Sequence, residues 1–143
     1  MRRVDTFLDY MDTHPAAVIR YYSSDMVLNV HSDASYLTAA GARSHAGGHF
    51  FLGSIPKDGC PIRLNGAILS LSTILKCVAA SAAEAELGAL FLNAQEAKIM
   101  RLTLEEMGHL QPPTTLHCDN TTAVGIVHSS IKQQRSRAMN MRY

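Results

Sequence analysis

The period of the hydrophobic pattern changes once along this chain, and that change constrains the fold more than any other feature. Between residues 26 and 75 apolar residues alternate with polar or opposite-facing ones, the period of a strand. Met26, Leu28 and Val30 alternate with Val27, Asn29 and His31, which predicts a strand over Met26–His31. Gly47–Leu52 and Ala67–Leu75 read as two more, the latter entered through the turn signal Asn65-Gly66. From about Ser81 to Met107 the spacing becomes three and four, with Leu87, Leu90, Phe91, Ala94 and Ala97 on one face. Ser81 with Glu84 three residues on suits a capping box, and Gly108 suits a helix stop. Pro112-Pro113 then forbids helix, Thr114–Cys118 reads as a short strand, and Thr122–His128 as a short helix. Upstream, Thr6–Met11 reads as the end of a helix halted by His14-Pro15, and Ala17–Tyr22 as a further strand before the turn Ser23-Ser24-Asp25. Thr38–His45 and Gly53–Pro61 read as loops, Ser129–Gln134 as a linker, and Arg135–Tyr143 as the start of another helix.

This order predicts an α/β fold. Three successive strands can pair as an antiparallel meander, and a fourth reached through a helix lies parallel to an earlier one. At 143 residues the chain is one domain's length, and its 47% hydrophobic and 17% charged content excludes a disordered tail. No apolar run approaches the ~20 residues of a membrane helix. The charged N-terminal stretch does not suit a secretory signal, and Cys60, Cys77 and Cys118 form no C-x-x-C pair. The expectation is an intracellular protein, cytoplasmic or nuclear, with reduced thiols and no membrane partner. No glycine-rich loop for a nucleotide cofactor occurs, and no G-x-S-x-G elbow. The net charge of +1 does not advertise nucleic-acid binding, although Lys132, Arg135, Arg137 and Arg142 cluster near the C-terminus.

Three acids fall where such a fold builds sites. Asp33 follows the first central strand, Asp119 follows the fourth, and Glu86 lies in the first turns of the long helix. Parallel neighbouring strands would set Asp33 and Asp119 side by side at the carboxyl edge of the sheet, and the helix start can add Glu86. Carboxylates crowded together repel, so they call for a hard divalent cation, magnesium or manganese. Two such ions about 4 Å apart can activate water and stabilise the leaving oxygen of a phosphodiester. Each acid alone also fits a turn, a cap or a helix dipole. Among the histidines, His45 and His49 flank Gly47-Gly48 and suit a loop or strand. His31 and His117 flank the proposed site and could sense its protonation, but read as ordinary strand residues.

Five segments resemble the ribonuclease H domain of copia-type retrotransposon polyproteins. Ser32-Asp33-Ala34-Ser35 is similar to its S-D-A-x opening, and Arg43-Ser44 with Gly47 to its R-S-T-S-G-Y stretch. Ser81–Leu90 is similar to S-S-x-E-A-E-Y-x-A-L, Cys118–Ala123 to C-D-N-x-x-A, and Arg135–Asn140 to R-T-K-H-I-D. The resemblance covers roughly Val27 to Tyr143. It implies a ribonuclease H-like mixed sheet flanked by helices, and two-metal hydrolysis of the RNA strand of an RNA–DNA hybrid with Mg²⁺ or Mn²⁺. It implies Asp33, Glu86 and Asp119 as catalytic metal ligands, with Ser35 and Asn120 against the substrate backbone. It selects Glu86 over Glu84, which two residues away on a helix points elsewhere. It further implies residues 1–25 as a tether from an upstream reverse transcriptase, with the first strand region, and 26–143 as the ribonuclease H-like domain.

The family also carries a fourth metal-binding aspartate in A-D-x-x-T-K, after a fifth strand, and a last helix. This sequence stops short of them, and Asn140 stands where R-T-K-H-I-D has its aspartate. The expectation is therefore a domain incomplete at its C-terminus, weak or inactive by itself. A catalytically dead relic that at most binds metal or hybrid is the alternative. A third reading is an α/β domain whose acids only cap and turn.

Overall fold

A computed structural model describes residues 2–55 and 60–128. Helix α1 spans Arg2–Thr13, followed by strands β1 (Val27–Ala39), β2 (Arg43–Gly53) and β3 (Ala67–Ile74). Helix α2 (Ala82–Glu106), strand β4 (Thr115–Cys118) and helix α3 (Thr121–Val127) complete the order. The sheet runs β3-β2-β1-β4. β1 pairs antiparallel with β2, and β2 with β3, while β1 and β4 run parallel from Asn29↔Thr115 to Ser32↔Cys118. The antiparallel meander with a parallel fourth strand is what the change of period predicts, and it is the ribonuclease H-like topology that the resemblance implies. The expected linker and helix beyond Ser129 lie outside the described residues.

Two local readings change. The expected strand Ala17–Tyr22 forms no ladder. It lies against the entry to β3 instead, where Asn65 Oδ1 accepts from the Tyr22 N–H at 2.8 Å and Ala67 O accepts from the Tyr21 hydroxyl at 3.0 Å. The expected loop Thr38–His45 is strand at both ends, Thr38-Ala39 and Arg43–His45, reversed through a turn at Ala40–Ala42, where Gly41 and Ala42 hold φ of 72° and 52°. Polar side chains stabilise this hairpin where apolar alternation is missing. Ser44 Oγ accepts from the Leu37 N–H at 3.1 Å, and the Thr38 hydroxyl lies 2.7 Å from Ser35 Oγ and 3.0 Å from His45 Nδ1.

One face of the sheet packs on α2. Leu28, Val30 and Phe50 are fully buried there against Ala97 and Leu104, and a second cluster joins Ala46, Leu75, Ala79, Ala85 and Ala89. The buried face of α2 is Ala85, Glu86, Ala89, Asn93 and Ala97, rather than the larger residues whose spacing marks the helix; Phe91 and Ala94 are exposed. Small residues let the helix axis approach the sheet closely, and Gly48 of β2 lies under Asn93.

The start of β1 is completed by a side chain. Gln111 is 7% exposed. Its Oε1 accepts from the Leu28 N–H at 2.9 Å and its Nε2 donates to Met26 O at 2.8 Å, so it mimics a neighbouring strand just before the β4 ladder begins. Gln111→Ala strands both backbone groups and should lower stability by about 1–3 kcal/mol, read as a lower urea midpoint at unchanged slope. An unaltered midpoint would show that water replaces the amide without loss.

Candidate metal centre

The parallel β1–β4 ladder closes at Ser32↔Cys118, and Asp33 and Asp119 are the next residue on each strand. Side chains alternate along β1. Leu28, Val30 and Ser32 turn toward α2, while His31 and Asp33 lie on the opposite face and are exposed. Asp119 is exposed at the head of α3, whose N-cap is Asn120; its Oδ1 accepts from the N–H groups of Thr122 at 3.1 Å and Ala123 at 3.0 Å.

Helix α2 begins at the same corner. Ser81 caps it by accepting from the Glu84 N–H at 3.2 Å, and Glu84 Oε2 accepts from the Ala80 N–H at 2.7 Å. Glu84 therefore serves the helix start. Glu86 is buried on the other side, toward the end of β4. Its Oε2 lies 3.8 Å from Cys118 Sγ, and it is hydrogen-bonded by the Ala34 backbone. Ligand-capable atoms of Glu86, Cys118 and Asp119 all lie within 4.8 Å of one another. Asp33 is outside that group, although its charge acts on Glu86. Ser35 Oγ bonds Thr38 Oγ1, so its hydroxyl is engaged within the hairpin.

The electrostatics are those of an uncompensated acidic corner. Burial pushes the Glu86 carboxyl above its ordinary range; the charges of Asp33 and Asp119 add to this, against the hydrogen bonds from Ala34 and Cys118. Burial likewise raises the Cys118 thiol, with Glu86 and Asp119 adding to it. The thiol thus stays protonated at neutral pH and acts as a weak donor to Glu86. Among the described residues no salt bridge reaches Asp33, Glu86 or Asp119. Carboxylate oxygens in this number suit a divalent cation, and the neutral thiol beside them is a poor ligand for a hard one.

A cavity of about 480 Å³ adjoins the corner, lined among others by His31, Asp33, Gly47, His49, His117 and Asp119. The three histidines form a row across β2, β1 and β4, since His31 pairs with both His49 and His117. The His31 and His117 rings stand 4.7 Å apart. Partial burial, then the neighbouring His117 and His49, hold His31 below the ordinary imidazole range. Half of this row was readable beforehand. His31-Ser32-Asp33 and His117-Cys118-Asp119 repeat one H-x-D spacing, and parallel strands in register must stack the two. His49 enters only through the antiparallel register with β2.

With this geometry in view, similarity to known proteins can be weighed. The chain is 26% identical over 140 residues to the retrovirus-related Pol polyprotein from transposon TNT 1-94 of Nicotiana tabacum. That alignment takes in 98% of this chain and 10% of the polyprotein, so the chain spans about a tenth of that relative's length. No family model matches, and no solved structure matches. The fold is ribonuclease H-like, and nearly the whole chain is similar to a part of a retrotransposon Pol polyprotein. No helix among the described residues is long and apolar enough to cross a membrane.

Proposed function

We propose that this chain is a retrotransposon-derived ribonuclease H-like domain whose acidic corner binds a divalent cation but sustains little or no hydrolysis. The observation that carries this reading is the composition of the tight donor group. It contains two carboxylates and a protonated thiol, and Asp33 stands outside it. A hard ion would be held by Glu86 and Asp119, with Asp33 able to approach from the strand tip. When bound, such an ion would polarise a phosphodiester and lower the pKa of a bound water. In this reading the chain's own residues do the positioning. The Ala34 backbone orients Glu86, Asn120 anchors the end of β4 through its cap, and the Asn120 amide N–H groups and Ser35 face the backbone of a hybrid duplex. Residues 1–25, which carry α1 and no ladder strand, serve as the tether to an upstream reverse transcriptase.

The second reading is full two-metal hydrolysis of the RNA strand of an RNA–DNA hybrid, with Asp33, Glu86 and Asp119 as ligands. It is favoured by the shared cavity between Asp33 and Asp119 and by the effect of both acids on Glu86. A labelled hybrid incubated with the chain in Mg²⁺ or Mn²⁺, beside Glu86→Gln and Asp119→Asn, separates the two. We expect RNA-strand cleavage no faster than in the variants. Robust turnover that both substitutions abolish would establish the hydrolase, with Ser35 and Asn120 as its next candidates for mutation.

A further inference from the structure

The geometry points to a second cation site, built by the imidazoles of His31 and His117 with His49 beside them, and suited to a borderline transition ion of the Zn²⁺ class. Its ligands differ from those of the carboxylate corner, with which it shares a cavity, and it does not rest on the function proposed there. The β-ladder register supplies its frame: His31 is the direct cross-strand partner of His49 on β2 and of His117 on β4. Directly opposed side chains on a sheet have Cβ atoms about 4.5–5.5 Å apart, a spacing that places neighbouring rings within reach of one ion. The ring centroids of His31 and His117 are 4.7 Å apart and the planes inclined by 32°. Zn–N bonds of about 2.0–2.1 Å require ring nitrogens roughly 3.3 Å apart at a tetrahedral ion. The donor atoms of the three histidines do not all lie within 4.8 Å of one another as they stand, so binding requires the rings to turn toward the ion.

Two further observations point the same way. His117, one of the residues lining the cavity, has an Nε2 that is shut off from solvent and has no hydrogen-bond partner, so that lone pair or proton is unspent. His49 Nε2 lies 3.2 Å from the carbonyl of Asn65. Donation of Nε2–H to that carbonyl leaves the Nδ1 lone pair free, the orientation by which backbone carbonyls usually fix metal-binding histidines. The ligand type decides the ion. Imidazole favours zinc and copper, whereas magnesium and manganese favour the carboxylates. Asp33 and Asp119 stand two residues further along their strands, about 7 Å from the histidine row at the rise of a strand. Cys118 alternates to the opposite face of β4 and is not a member.

The test uses the untagged full chain freed of metal with a chelator. Calorimetric titration in excess Mg²⁺, which occupies the carboxylate corner, should show one Zn²⁺ per chain. His31→Gln and His117→Gln should each weaken binding at least ~10-fold, while His109→Gln, a histidine outside the row, leaves it unchanged. On the unmutated chain, Cu²⁺ electron paramagnetic resonance should show nitrogen hyperfine splitting from at least two imidazoles, a readout that needs no variant to fold. The absence of Zn²⁺ binding, its persistence in both His31→Gln and His117→Gln, its loss in His109→Gln, or a copper spectrum without nitrogen coupling would each overturn the proposal.

Discussion

Asn93→Ala should cost the protein about 2–4 kcal/mol, more than most side chains of its size. Asn93 is fully buried in α2 and its Nδ2 donates to Ser32 Oγ at 2.8 Å and to Gly47 O at 2.9 Å. One amide thus fastens the helix to both central strands. Its Oδ1 has no partner, and a Cβ on Gly48 would come within 2.2 Å of it and 2.8 Å of the Phe50 ring. Gly48→Ala therefore overpacks the same place, at a cost of about 1–3 kcal/mol. The two changes share one volume, so they should not add. In an Asn93→Ala background the Gly48→Ala cost should shrink, which urea midpoints of the four chains would show. Strict additivity would mean that the Phe50 ring alone, and not Asn93, sets the need for glycine. The effect extends to the site. Glu86 and Asn93 are two turns apart on the same buried face of α2. A helix released at Asn93 should hold Glu86 less firmly and bind a cation less well.

Glu86→Gln should reverse the order of stability that Mn²⁺ imposes. With free Mn²⁺ at about 100 times its dissociation constant, the native chain should gain about 2.7 kcal/mol, and the variant should gain almost none. Without metal the variant should be the more stable at neutral pH. The sign follows from the raised Glu86 carboxyl. Between the ordinary glutamate range and that raised value the folded state holds more protons than the unfolded one. Stability falls as pH climbs through this window and stays lowered above it. Glutamine has no such dependence, so the gap between variant and native chain should open across the window and be constant at neutral pH. Melting curves across pH in a chelator would show it. A native chain more stable than its variant at neutral pH would mean that the Ala34 and Cys118 hydrogen bonds outweigh burial and repulsion.

Strand identity, the long helix and the parallel fourth strand were legible because each rests on a local period. The cap at Ser81 was legible too, because it acts through its own side-chain oxygen on an amide three residues away; Asn120 caps α3 in the same way. Asn120, singled out as a substrate contact, has its carbonyl oxygen committed to that cap. What stayed hidden depends on partners distant in sequence. Ala17–Tyr22 has the composition of a strand, but its hydrogen bonds go to the turn at Asn65-Gly66-Ala67 rather than to a ladder. Thr38–His45 lacks alternation and is strand because Ser44 and Thr38 hydrogen-bond across the hairpin. The buried face of α2 defies the apolar spacing because close approach to Gly48 selects alanine and a hydrogen-bonding asparagine. At the site, the order of acids along the chain indicated the corner, but only coordinates separate Asp33 from the group formed by Glu86, Cys118 and Asp119.

The Gln111 clamp and the β4 ladder both reach β1 from more than half a chain away; Leu28 and Gln111 are 83 residues apart. Closing so long a loop costs more chain entropy than the shorter connections of the β1–β2–β3 hairpins, and pairing distant in sequence forms more slowly. The meander can therefore form early, and the last helix–strand docking late. Until that docking occurs Asp119 is remote from Asp33, so a nascent chain passes through its early compact stages without the concentrated negative charge that marks the finished molecule.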